Sequence, residues 1–495
     1  MKSINKWILG ISAFSLFCTG EVMAQSGYYQ DALRFSQIMS TGSARVSGLG
    51  GTQNSLGGDV SNIHHNPAGL GFFRRSEFSI SPGYSDWRTE SSYGGAQAFD
   101  GIPTSNFALP NLSLVISSPR DPLAAGRFRG GSFGISVNRL ANFNSEFAFA
   151  GISPTSIMEF FAADAFGAPG NVLDAENSLT GLAYSTFLID PTTEGGTTYV
   201  PANTTETPDM YEEVVTQGGI NQVTFAYGGN FDNKLFLGAS LGVSSINFSQ
   251  FKTFTEDYLE GDLIGFDINE NLFINGTGIN LNIGAIYKPI DELNLGLSFQ
   301  SPTWYRLNEE YDAQIISEFE NPNAIYDEST DFLISTFNIN TPMKINAGAT
   351  YFIGKNGFIS ADIDYVDYTS ARINSRDFNP GPDNDAINQL YTATFNYRVG
   401  GEIRYDMFRF RAGYGYYGDP FRNDFDDPSR HTQQITGGIG VRLAKFYVDA
   451  AFMNTTFNQF YRSYSLIGQG GQDFGPVSDI RNTMNSGMLT VGFNF

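Results

Sequence analysis

The sequence predicts an all-β chain: a transmembrane antiparallel β-barrel of about fourteen strands with an N-terminal hatch plugging its lumen. Three observations lead there. The first is composition: 495 residues carry 44 Phe, 25 Tyr and 55 Gly but only 16% charged residues. Beyond the first 24 residues, no apolar run reaches the length a membrane helix needs. The second is strict two-residue alternation in many short segments. The third is an alternation of short and long connections between those segments.

The chain opens with MKSINK and the apolar run WILGISAFSLFCTG, too short to span a bilayer and shaped like a secretory leader. Small residues at Val22 and Ala24 put the mature start at Gln25, so residues 1–24 read as a signal peptide. Cys18, the one cysteine, falls inside it, which removes disulfide and thiolate chemistry from the mature chain. The net charge of -22 excludes a nucleic-acid partner, because nothing here would neutralise a phosphate backbone.

The strand grammar is clearest at the C-terminus. In SGMLTVGFNF, Leu489, Val491, Phe493 and Phe495 alternate with Met488, Thr490, Gly492 and Asn494, as in a strand between lipid and a polar lumen. Ile439, Val441 and Leu443 repeat the pattern, as do Phe395, Tyr397, Val399, Ile403 and Tyr405, followed by Phe408, Phe410, Ala412 and Tyr414. Strands are expected to begin near residues 76, 108, 130, 219, 234, 277, 293, 333, 357, 391, 407, 432, 446 and 485. Connections at 119–129, 231–233, 289–292, 354–356, 405–407 and 444–446 are short. Those at 88–107, 141–218, 249–276, 313–331, 370–390, 418–431 and 461–484 are long. Outer-membrane barrels have short periplasmic turns and long external loops, so the expected address is the outer membrane of a Gram-negative cell, in contact with its lipid. The barrel is then residues 76–495, with an external loop over 141–218.

Residues 25–75 precede the first strand and are too rich in Gly, Ser and Asn to build a core of their own. Fixed to the first strand, they are expected inside the lumen. Their run NIHHNPAGLGFF raises the question of a metal or catalytic site at His64 and His65. Adjacent side chains on an extended segment diverge, and no Cys can join them; hydrogen bonding within the plug is the expected role. Pro67 and Gly69 answer a need for shape, a rigid kink able to close a pore.

The stretch from Ala44 to Gly71, with Asn66, Pro67, Ala68, Gly69 and Leu70 in a "NPAGL" order, resembles the hatch of the FadL-like outer-membrane transporters. LGLSFQSPTWYRL (295–307) and TPMKINAGATYFIGKNGFISADIDYVDYT (341–369) are similar to later strands of that family. The resemblance implies passive, hatch-gated diffusion of long-chain fatty acids or other hydrophobic small molecules, with no cofactor, no metal and no enzymatic activity. It also allows a second role, as a subunit or shuttle of a protein-secretion machine.

If the aromatic positions of the C-terminal strands face lipid, then Arg398, Glu402, Arg404, Arg409, Arg411 and Arg442 face the lumen, with Asp362, Asp364 and Asp449 beside them. An ion-pair network is one reading. The other is that one unpaired arginine receives a fatty-acid carboxylate, which the guanidinium fork suits. Residues 141–218 hold eleven acids, no Lys or Arg, and the run SIMEFFAADAFG. There Ile157, Phe160, Phe161 and Phe166 could gather an apolar ligand or pack the loop onto the rim. The acidic runs 383–388 and 423–430 fit no EF-hand spacing. Gly130, Gly131 and Gly134 in the third strand are expected to weaken pairing and open a lateral gap. A lipase-type barrel would need a Ser/His pair at the rim, for which His431 is the candidate outside the hatch.

Overall fold

The computed structural model of the chain describes residues 27–495 apart from 40–41, 95–98, 101–102, 122, 124, 322, 423–428 and 469–471. The expected leader and most of the acidic run 423–430 lie outside the described residues.

Fourteen antiparallel strands close into one barrel. They are β1 (Glu77–Tyr93), β2 (Thr104–Pro119), β3 (Phe128–Asn142, continued by Ser145–Ile152), β4 (Asp209–Phe231) and β5 (Leu235–Asp257). Next come β6 (Leu263–Ile290), β7 (Leu293–Gln300 and Trp304–Phe319), β8 (Leu333–Asn340 and Lys344–Ile353) and β9 (Gly357–Asp367, with Arg372–Ser375 above). The last are β10 (Ala393–Tyr405), β11 (Phe408–Tyr417), β12 (Thr432–Arg442), β13 (Phe446–Arg462) and β14 (Val477–Asn494). Each pairs with its sequence neighbours, and β1 closes the circle against β14 from Glu77↔Asn494 to Tyr93↔Ser478. Closure leaves no sheet edge, which a bilayer would not tolerate.

The alternation is borne out residue by residue. Phe395, Tyr397, Val399, Ile403, Phe410, Ile439, Leu489 and Phe493 are exposed on the outer surface, a belt that hydrocarbon covers. Arg398, Glu402, Arg411, Asp449 and Thr490, one residue out of phase, are buried inside. The turns at the lower end are tight. Asp232, Asn233 and Asp406 take left-handed φ values of 55°, 54° and 51°, which short polar side chains tolerate.

At the upper end the expected boundaries move. The predicted loop 249–276 is instead a hairpin, with β5 and β6 joined at 258–262; β3 continues to Ile152, and β4 starts at Asp209. The reason is that the alternation inverts above the membrane. Leu237, Leu241 and Val243 face outward in the lower part of β5, whereas higher up Phe254, Phe266, Ile268 and Leu272 are buried inside and polar residues point out. A rule written for lipid-facing strands reads that stretch as loop. The result is a lopsided barrel. β6 has 28 residues and β11 only 10, against the 9–11 or so that cross a bilayer.

Among the described residues six short α-helices accompany the strands: α1 (Tyr28–Arg34), α2 (Ala44–Ser47), α3 (Ile157–Asp164), α4 (Gly170–Leu173), α5 (Leu179–Ser185) and α6 (Gly381–Leu390). In α3, Ser156 caps Met158 N–H and Glu159 returns to the Ser156 N–H, a capping box that starts the helix.

Candidate functional site

Residues 43–72 lie within the lower barrel and touch inward positions around most of its circumference. Backbone meets backbone there. A β-carbon added at Gly228 or Gly238 would overlap Pro67, at Gly284 Asn66, at Gly296 Asn54, and at Gly400 or Gly413 the Leu49–Gly50 stretch. Strands β4 to β7, β10 and β11 thus present glycines on which this inner segment is seated. Polar side chains complete the seat. Ala44 N–H donates to Thr490 Oγ1 (2.7 Å), Gly50 N–H to Thr436 Oγ1 (2.9 Å), and the N–H groups of Gln53 and Asn54 to Asp362 Oδ2 (2.8 and 3.0 Å).

The NPAGL motif turns the chain inside this seat. Asn66 caps a short 3-10 turn over Pro67–Phe72 by accepting from Ala68 N–H (3.2 Å), while its Nδ2 donates to the Asn54 carbonyl (2.6 Å). Pro67 begins that turn, where its missing N–H costs nothing. Ala68, Gly69 and Leu70 are buried, and Leu70 packs with Ile63, Val115 and Ala226. The His64 carbonyl accepts from Asn282 Nδ2 (2.8 Å). Burial, and next the Arg398 guanidinium, hold the His65 imidazole well below its usual range, so it is neutral; His64 and Lys344 add to the effect.

The arginines predicted to face the lumen are brought together, and almost all are committed. Arg398 pairs with Asp364 (2.6 Å). Arg411 joins Glu402 (2.8 Å) to Asp449 (2.7 Å), Arg404 holds the other oxygen of Glu402 (2.8 Å), and Arg442 holds the other oxygen of Asp449 (2.8 Å). Arg45, from α2, reaches Glu402 at 3.6 Å and Asp59 at 3.5 Å. Arg409 stands apart, donating to the carbonyls of Asp406 and Phe408 (2.7 Å each).

The cation that sequence reasoning missed is Lys344 at the start of the lower half of β8. Its Nζ donates to the Ser36 carbonyl (3.2 Å), and among the described residues it has no ion pair. Its signal was present: Ile345 faces out, so Lys344 faces in. Beside it the wall is irregular. β7 breaks at Ser301–Pro302–Thr303 and β8 at Thr341–Pro342–Met343, and the registers Gln300↔Lys344 and Trp304↔Asn340 set the two breaks side by side. The gap is stitched by Thr303 N–H to Thr341 Oγ1 (2.9 Å) and Thr341 N–H to the Thr303 carbonyl (3.1 Å). β9 is interrupted at the same height, between Asp367 and Arg372.

Gly130, Gly131 and Gly134 do not make such an opening. β3 is paired through them with Pro119, Ser118 and Val115 on one side and Asn230, Gly229 and Ala226 on the other. Gly134 instead makes room for Ile63 of the inner segment.

The upper lumen has a different character. Phe35 packs against Phe143 and Phe248, Tyr28 stacks on Phe378 at 4.1 Å between ring centres, and the Tyr28 hydroxyl donates to Glu309 (2.9 Å). α3 is tethered by Glu256, which accepts from Ser156 Oγ (2.5 Å) and Ile157 N–H (2.9 Å). Phe161 is fully buried, Phe160 half-buried and Phe166 71% exposed, so Phe161 is committed to holding the loop down. At the rim, Ser429 Oγ and His431 Nδ1 lie 2.6 Å apart, with Gln433 on the other ring nitrogen. The Ser–His–Gln chain contains no carboxylate to orient the imidazole.

A family model described as BamG matches residues 180–414. No curated protein sequence matches the chain. Among solved structures, the chain is similar to a Pseudomonas aeruginosa FadL homologue, with a TM-score of 0.57 and 13% identity over 92% of this chain and 99% of that one. It is also similar to the P. putida toluene transporter TodX, with a TM-score of 0.53, 13% identity and 92% and 99% coverage. The Ralstonia pickettii toluene transporter TbuX gives 0.50, 14%, 92% and 99%. The shared feature is the fold, which is that of FadL-like outer-membrane barrels along nearly the whole chain.

Proposed function

We propose that the protein admits hydrophobic small molecules through the outer membrane by passive diffusion, with residues 43–72 acting as the hatch and Asn66 to Leu70 as its gating kink. The observation that carries this reading is the pairing of an apolar upper lumen with one half-buried amine, Lys344, that makes no ion pair among the described residues. Water-filled barrels have polar interiors; an aromatic one suits an apolar cargo. An amphiphile such as a long-chain fatty acid would lay its chain along Phe35, Phe143 and Phe248 and set its carboxylate at Lys344, in place of the Ser36 carbonyl. The proline breaks in β7 and β8, beside that amine, offer the cargo a side exit.

The test is mass spectrometry of lipids co-purifying with the barrel in mild detergent, wild type against Lys344→Gln. Removing the cation from a charged hydrogen bond costs about 1.5–3 kcal/mol, so fatty acids should fall by roughly tenfold or more while neutral hydrophobic compounds persist. Equal fatty-acid content in both preparations refutes the carboxylate assignment.

A second reading is favoured by how fully the lumen is occupied, below by residues 43–72 and above by α1 and α3. On that reading the barrel is a non-transporting subunit or shuttle of a protein-secretion machine, and the extracellular sheet of β4 to β7 is its working surface. Large protein partners in the preparation, with no effect of deletion on hydrophobic uptake, would decide for it.

A further inference from the structure

A second feature lies at the opposite end of the barrel and is independent of any passage through it. Between the inner segment and the lower wall is a cavity of about 240 Å³. Four guanidiniums line it: Arg45 from α2, Arg404 from β10, Arg409 from β11 and Arg442 from β12. The tight turns at 406–407 and 443–445 border it, which places its mouth at the periplasmic face.

The acids around it are already engaged. Asp59 accepts from Ser43 Oγ (3.0 Å), Ser61 Oγ (2.8 Å) and Ser61 N–H (3.0 Å), besides facing Arg45. Glu402 is held by Arg404 and Arg411 at 2.8 Å each, and Glu77 accepts from the Tyr447 hydroxyl at 2.6 Å. Arg442 is anchored to Asp449 and lies 3.9 Å over the Tyr447 ring, so it is fixed in place. Arg409 is the surplus charge. Only its Nη1 is bonded, to two carbonyls of its own turn, and no acid pairs with it among the described residues.

The lining narrows the ligand. A water molecule takes up about 30 Å³ of liquid, so the cavity has room for a carboxylate or phosphate group with a few waters, and its charged walls offer an acyl chain little apolar surface. A guanidinium with unused N–H donors, set among other fixed guanidiniums, matches the planar oxygens of such a group.

We infer that this cavity is an anion-binding site open to the periplasm, in which Arg409 receives a carboxylate or phosphate, either of a soluble anion or of a lipid headgroup whose chains remain outside.

The experiment is calorimetric titration of the full-length protein in uncharged detergent at fixed ionic strength. The probes are sodium phosphate, sodium acetate and dihexanoyl phosphatidic acid, for wild type, Arg409→Gln and Arg409→Lys. Saturable binding is expected, weakened about tenfold or more in R409Q and less in R409K, which keeps the charge without the fork. Binding of free phosphate or acetate assigns the site to the anionic group itself. Binding of the phosphatidic acid alone assigns it to a lipid headgroup. If no probe binds, or if R409Q binds as wild type does, the site is refuted. Should R409Q not fold, R409K decides by the same criterion, weaker binding supporting the site and unchanged binding refuting it.

Discussion

The lower and upper halves of the lumen are filled in opposite ways. Below, residues 43–72 lie against glycines, so the backbones themselves are in contact and side-chain hydroxyls and amides fix the register. Above, α1 and α3 fill the space with Tyr28, Phe35, Met158 and Phe161 packed on aromatic strand positions. Backbone contact is intolerant, because no rotamer can absorb an added atom. Aromatic packing is adjustable, because rings tilt and partners shift. The lower half is built to keep one arrangement, and the upper half can take another.

The largest effect separating the halves is expected at Arg411. Arg411→Met leaves two buried carboxylates, Glu402 and Asp449, short of a partner in the lower half, and should cost about 3 kcal/mol or more, read as a fall in the urea midpoint of the micelle-embedded barrel. If that midpoint stays within error of wild type, the lower network contributes no net stability. Next comes the glycine seat. Gly284→Val drives a side chain into Asn66 and should cost about 1–3 kcal/mol, with faster proteolysis of residues 43–72. Gly487→Val on β14, where an added β-carbon meets nothing within 4 Å, should be nearly neutral; equal losses in both would dissolve the distinction.

The smallest effect is a pH dependence of the upper half. Burial pushes the Asp31 carboxyl in α1 up to about 6 despite the adjacent Arg34, and Asp383 of α6 adds to the rise. The docked segment therefore holds a proton that the undocked one releases near its ordinary value of 3.8. Because the native state binds the extra proton, docking is firmest below that value and weakens as pH rises through about 6, by at most about 2–3 kcal/mol. Amide exchange of residues 28–36, corrected for its intrinsic pH dependence, should quicken from pH 4 to 7. Unchanged protection of α1 over that range would contradict this.

Much of the wall was legible because lipid imposes one rule on every strand that crosses it. Phe395, Tyr397 and Val399 could be assigned to the outside from spacing alone, and with them Arg398 to the inside. Above the bilayer that rule lapses, which is why Phe254 and Phe266 were read as loop. The arginines could be placed in the lumen but not paired, since Arg411 finds Asp449 across β12, and only three-dimensional register says which guanidinium is left over. Lys344 was overlooked for a related reason: its distinction is that it makes no ion pair among the described residues, which spacing does not show. The glycines of the seat are scattered over six strands, each unremarkable where it stands, and become a pattern only when the sheet curls and sets them at one height.

The paired breaks at Pro302 and Pro342 carry a mechanical consequence. Proline contributes no N–H to a ladder, so at that height β7 and β8 are joined by two threonine-dependent bonds where regular strands would have a continuous series. With β9 interrupted in the same row, the wall there behaves as a seam between two storeys. The lower storey, clamped by its inner segment, is rigid; the upper one, rising above the shorter β11 and β12, can lean about this seam without disturbing the floor.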